Sequence, residues 1–149
     1  MKHVGQRAAS RAAELLDGLG RDYTPQVRTQ LVALPTRLHR SGLAATLAFI
    51  ASGAHKSGAV GVAYGHVERL MAQVVGDRGT RTGHTNDRLD AAFFVWLGSL
   101  SVAEYSALAR EVGEQANWLK RLSEARRYTA SPNESSEGHT GDDSNGDGS

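Results

Sequence analysis

The chain has 149 residues, 17 Lys and Arg against 16 Asp and Glu, and no Cys, so one domain with a substantial core is expected, and disulfides, thiolate nucleophiles and cysteine-bound zinc are excluded. The near-neutral total is unevenly spread: Ser131–Ser149 holds five acidic residues and no basic one, leaving 11 acidic against 17 basic residues in Met1–Ala130, a surplus that favours a polyanionic partner. No apolar run in Met1–Arg11 marks an export signal, and the most apolar stretch, Leu43–Ala51, is too short to span a bilayer, so a cytoplasmic protein with no membrane partner is expected.

Taken in chain order, the sequence predicts helices separated by turn residues, with no run of alternating β-branched residues that would make a strand. The first helix is expected from Val4 to Leu19, with Ala8, Ala12, Leu15, Leu16 and Leu19 at helical spacing and Gly18 and Gly20 closing it. A second starts at Thr24-Pro25, a capping residue followed by Pro where its missing N–H costs nothing. Val27, Leu31, Leu34 and Leu38 make its apolar face, and Pro35 predicts a kink near Ala33 or Leu34. Ser41-Gly42 ends it, Gly42 supplying a left-handed position.

The third helix, Leu43–Ser52, is apolar nearly all round and is therefore expected at the centre of the bundle. A fourth, about Gly58–Val75, starts weakly through Gly58, Gly61 and Gly65, where close packing is the compensating use of glycine. Gly76–Asp87 reads as a loop, and Arg88–Leu97 as a fifth helix carrying Leu89, Ala92, Phe93, Trp96 and Leu97. The sixth opens on the capping-box spacing of Ser101 and Glu104 and runs to about Arg127. Tyr105, Leu108, Ala109, Val112, Ala116 and Leu119 form its stripe, with Trp118 beside Leu122 on a flanking face.

The expected fold is thus all-α: a compact bundle of about six helices over residues 1–130, followed by a disordered acidic tail over 131–149. The tail has no large apolar residue with which burial would offset the entropy of ordering.

Catalytic and metal-binding patterns are absent from the sequence. No two of His3, His39, His55, His66, His84 and His139 stand at i, i+3 or i, i+4, and there is no H-E-x-x-H. Acidic residues of the helices are interleaved with basic ones, and no cluster supplies the convergent carboxylates of a two-metal site. The glycines between Gly53 and Gly65 form neither phosphate-loop pattern, and Ser101 is explained as a cap. No catalytic residue, metal or cofactor is nominated.

Basic residues are the informative polar set. Arg37 and Arg40 fall near the end of the second helix, Lys56 after the third, and Lys120 and Arg121 on the sixth. These five are the candidates for phosphate contacts, which bind a nucleic-acid backbone without reading its sequence. Arg126 and Arg127 equally suit the negative end of a helix dipole. Trp118 is read either as part of the core or as a contact to another molecule.

Two segments resemble a known family. Leu34-Pro35-Thr36-Arg37-Leu38-His39-Arg40-Ser41-Gly42-Leu43 through Phe49-Ile50 resembles the "LP…I…NGL…TLAF" segment of the small subunit of the type III-B CRISPR effector, the Cmr complex. Tyr105 through Ala125, with Trp118-Leu119-Lys120-Arg121 and Glu124-Ala125, resembles its closing "Y…EA…WLKRFAEA" helix. Ser41 replaces the usual Asn, Leu122-Ser123 the usual Phe-Ala, and Gly113 interrupts the last helix. The resemblance implies a non-catalytic helical bundle that stacks in copies of itself beside the other effector subunits. It implies contacts to guide RNA and target RNA, through the five cations above, and Trp118 as a subunit contact. Alternatives are the small subunit of a type III-A effector, a helix-turn-helix DNA-binding regulator, and a small hydrolase assembled from histidines that converge only on folding. Against the regulator stands a third helix too apolar to enter a major groove.

Overall fold

The computed structural model describes residues 4–76 and 88–126; the expected tail and most of the expected loop lie outside them. Among the described residues there are six α-helices and no strand: α1 (Val4–Leu19), α2 (Pro25–Ser41), α3 (Leu43–Gly53), α4 (Gly58–Gly76), α5 (Ala91–Gly98) and α6 (Val102–Ala125). A short 3₁₀ turn, Gly20–Asp22, follows α1. No described helix is long and apolar enough to cross a membrane.

Local chemistry accounts for most boundaries. Thr24 caps α2, its hydroxyl accepting the Val27 N–H, with Pro25 at the first helical position. The helix then runs through Pro35 to Ser41 without interruption. Gly42 is both the end of α2 and the start of α3, with φ +82° and ψ 174°. That is a region essentially confined to glycine, so the expected positive φ is present but not in the left-handed helical well. A glycine cap has no side chain to satisfy the first N–H groups of α3; instead the Ala44 N–H donates to the Tyr105 hydroxyl of α6 at 3.1 Å. This bond joins the two segments on which the family resemblance rests.

The packing is built around α6. It lies against α2 and α1, while α4 packs on both α3 and α2. Bonds along the chain fix directions. Arg28 Nε donates to the Ser123 carbonyl at 3.1 Å, and with the Ala44–Tyr105 bond at the other end this makes α2 antiparallel to α6. Gln115 Nε2 donates to the Ala8 carbonyl at 3.0 Å and Arg126 pairs with Asp17, making α1 parallel to α6. Leu16, Leu31, Leu34, Leu47, Met71, Phe93 and Leu119 fill the core between these helices.

Two expectations are corrected. The third helix is not central: Leu43, Thr46, Leu47, Ile50 and Gly53 are buried, but Ala45, Ala48, Phe49 and Ser52 face outward. Alanine carries too little surface to enforce burial, so a helix with Ala on one side has an effective apolar stripe narrower than its composition. The fifth helix starts at Ala91 instead of Arg88, because Asp90 adopts an extended backbone and caps it through the Phe93 N–H at 2.9 Å. Leu89 is nevertheless buried, ahead of the helix.

Gly61 shows what one glycine of α4 is for. A Cβ there would stand 1.6 Å from the Lys56 carbonyl oxygen, so the turn between α3 and α4 closes directly against the first turn of α4. No other residue type leaves room.

Candidate nucleic-acid interface

Arg37 and Arg40 lie on the last turns of α2, three residues apart and therefore neighbours on its surface. Arg37 donates to the Gln30 amide oxygen, and its guanidinium lies over the Phe49 ring of α3, 4.8 Å from the centroid. Phe49 meets Tyr64 of α4 edge to face, centroids 5.7 Å apart, and the Lys56 ammonium stands 5.8 Å from the Tyr64 ring centroid. Arg37, Phe49, Tyr64 and Lys56 thus form a continuous ladder of cation, ring, ring and cation across three consecutive elements. Tyr64 is buried and its ring lies over Gly53, which fixes the inner rung. Phe49 keeps 46% of its surface exposed.

Lys120 and Arg121 are not part of this cluster. The antiparallel pairing of α2 and α6 sets Arg121 near the level of Gln30, about ten residues, or roughly 15 Å of helix, from Arg40. The Arg121 guanidinium lies 5.2 Å from the Trp118 ring centroid. Trp118 is half-buried and packs against the core through part of its surface. The structure therefore divides the five candidate cations into a group of three on α2 and the α3–α4 turn, and a separate pair on α6.

None of the five is in an ion pair with a carboxylate among the described residues. Two other arginines are: Arg11 pairs with Glu14 at 3.3 Å, and Arg126 with Asp17, while Arg126 also covers the Tyr23 ring at 5.6 Å. A guanidinium lying over a ring does not use its N–H groups in that contact; one of those of Arg37 is taken by Gln30.

Sequence reasoning missed Phe49 and Tyr64. The buried set Leu43, Thr46, Leu47, Ile50 and Gly53 has i, i+3, i+4, i+7 spacing, which places Phe49 about 100° off its centre. That arithmetic signals a flanking aromatic; counting the alanines as core-forming conceals it.

A polar cleft of about 600 Å³ lies beside this face, lined by His55, Glu68, Arg69, Arg88 and Asp90 with Leu89 at its edge. Glu68 is buried. Desolvation pushes its carboxyl above the ordinary value of 4.5, opposed by the Arg88 charge, the Leu89 N–H and His55, and aided by Asp90. Among the described residues no group of three or more His, Cys, Asp or Glu side chains is arranged to hold a metal.

The described residues form a small helical bundle in which these five cations have no carboxylate partner, and comparison with protein families identifies the class to which it belongs. Residues 2–126 match the family described as CRISPR-associated protein (Cas_Cmr5). The chain belongs to that family, the small subunit of the type III-B Cmr complex, and is thereby a Cmr-complex subunit in CRISPR defence. The family is generally non-catalytic. Membership displaces the type III-A and helix-turn-helix alternatives. No curated protein and no solved structure matches the chain.

Proposed function

We propose that this chain binds the backbone of the guide–target RNA within the Cmr complex, through Arg37, Arg40, Lys56, Lys120 and Arg121, and positions the duplex without performing chemistry on it. The observation that supports this reading is that these five cations have no carboxylate partner among the described residues, whereas Arg11 and Arg126 do. A cation already paired gains little from a phosphate; an unpaired one releases counterions at full effect. In this reading copies of the chain stack along the complex in the cytoplasm, with Trp118 as a subunit contact, residues 1–130 as the bundle and 131–149 as an acidic tail. Alignment of copies multiplies weak phosphate contacts into useful affinity.

The test is RNA binding by the full chain as a function of salt. Replacing Arg37, Arg40 and Lys56 together by Ala is expected to lower the slope of log K against log salt by about 0.7–0.9 for each phosphate that is no longer neutralised. Replacing Arg11 and Arg126 should leave the slope unchanged. Equal slopes for both variants would remove the proposed face.

A further inference from the structure

Phe49 is a large ring left 46% exposed on a helix face otherwise made of alanines and serine. Exposure of a single apolar residue is ordinary; its surroundings are not. Arg37 lies over the ring, 4.8 Å from its centroid, and Tyr64 meets it in a T-shaped contact with centroids 5.7 Å apart, so the ring is held in place while part of its surface stays exposed. The neighbouring cations, Arg37 and Arg40 on α2 and Lys56 beyond Tyr64, have no carboxylate partner among the described residues. An aromatic platform held between phosphate-binding cations is the arrangement by which proteins hold single-stranded nucleic acid, bases on the ring and backbone on the charges.

We infer that Phe49 is a stacking site for an unpaired RNA base, so that this face binds single-stranded or flipped-out nucleotides in addition to a duplex backbone. The inference rests on the RNA-binding reading above and adds the ligand class. A base entering here stacks on the open surface of Phe49 while its flanking phosphates reach Arg40 on one side and Lys56 on the other. Because every base has a π face, the site is indifferent to sequence. A perfectly paired duplex offers no base to the ring and engages the cations alone.

The experiment uses the full chain with two probes, a short oligo(A) single strand and an RNA duplex of the same length, read by fluorescence anisotropy over a range of salt. Phe49→Leu keeps an apolar side chain of similar reach and removes the ring; Phe49→Trp keeps a ring. Phe49→Leu is expected to weaken oligo(A) binding about tenfold, with unchanged duplex affinity and unchanged salt slope, and Phe49→Trp to restore it. A single strand carrying 2-aminopurine should be quenched by the unaltered chain and by Phe49→Trp, and not by Phe49→Leu. Equal oligo(A) binding by Phe49→Leu and the unaltered chain overturns the stacking site while leaving the cationic face standing. So does an equal weakening for both probes, which would mean that Phe49 only positions Arg37. If the unaltered chain binds neither probe, the RNA-binding reading itself falls, and the stacking site with it.

Discussion

The hairpin formed by α3 and α4 and the layer formed by α1 and α6 are joined by opposite means. In the hairpin, fit is steric: Gly61 sits against the Lys56 carbonyl, and the Tyr64 ring lies over Gly53. Between α1 and α6, polar bonds are added to the apolar core to which Leu16 and Leu119 contribute: Gln115 reaches the Ala8 carbonyl and Arg126 pairs with Asp17, while α6 itself opens on a capping box. The same contrast governs the arginines. Arg37, beside the hairpin, lies on a ring with no carboxylate partner among the described residues, whereas Arg11 on α1 and Arg126 at the end of α6 pair with Glu14 and Asp17. Counting basic residues therefore overstates the charge that a phosphate backbone would meet, and the difference is one of neighbours, not of composition.

The sharpest way to test that contrast is one substitution made in both regions. Gly61→Ala drives a methyl to 1.6 Å from a backbone oxygen, and opening the closed turn is expected to cost about 3 kcal/mol, well above the helix-propensity gain of alanine. Gly113→Ala in α6 meets nothing within 4 Å and should stabilise the chain by about 1 kcal/mol. Urea unfolding of the two variants checks both. The same sign for both would mean that the hairpin relaxes and its steric closure is not decisive.

A smaller effect is expected from Ser123, on the inner face of α6. Its hydroxyl is fully buried and has no hydrogen-bond partner, while its carbonyl accepts from Arg28. Ser123→Ala removes the unsatisfied hydroxyl and keeps the carbonyl, and should stabilise by about 1 kcal/mol. An alanine at this place is also what the resembling family segment has. Unchanged or lowered stability in urea would show that the hydroxyl is satisfied in solution and that the polar layer is complete as it stands.

How much of this was legible in the sequence follows from the range of each interaction. Caps are local, so Thr24-Pro25 and the Ser101–Glu104 pair marked the starts of α2 and α6 correctly. Asp90 carried the same kind of signal for α5, but the apolar Leu89 before it drew the expected helix too far upstream. The face of α3 was misjudged because alanine is compatible with either side of a helix. The aromatic ladder was not legible at all: Phe49 and Tyr64 are brought together only by the turn that Gly61 permits. The pairing of Arg126 with Asp17, 109 residues apart in sequence, is likewise a product of the parallel packing of α1 and α6. The five candidate cations were readable as a set, but not their division into three and two.

The smallest expected effect separates electrostatic from steric closure through pH. Glu104 accepts the Ser101 N–H at 2.9 Å, and the Ser101 hydroxyl accepts the Glu104 N–H at 3.1 Å. The first bond, with a further contribution from the Ser101 side chain, holds the Glu104 carboxyl below its ordinary value of 4.5. A carboxylate with a lowered folded-state pKa contributes stability above its unfolded pKa, and that contribution is lost as the pH falls through the lowered value. Glu104→Gln keeps an acceptor but has no charge to lose. The unaltered chain should therefore have a slightly higher Tm than Glu104→Gln at pH 7, and the difference should close as the pH drops below 4.5. The destabilisation by Gly61→Ala, being steric, should show no such convergence over the same interval. A difference between the unaltered chain and Glu104→Gln that persisted through this acid range would assign the capping box to shape and hydrogen bonding alone, and would erase the electrostatic half of the contrast between the two regions.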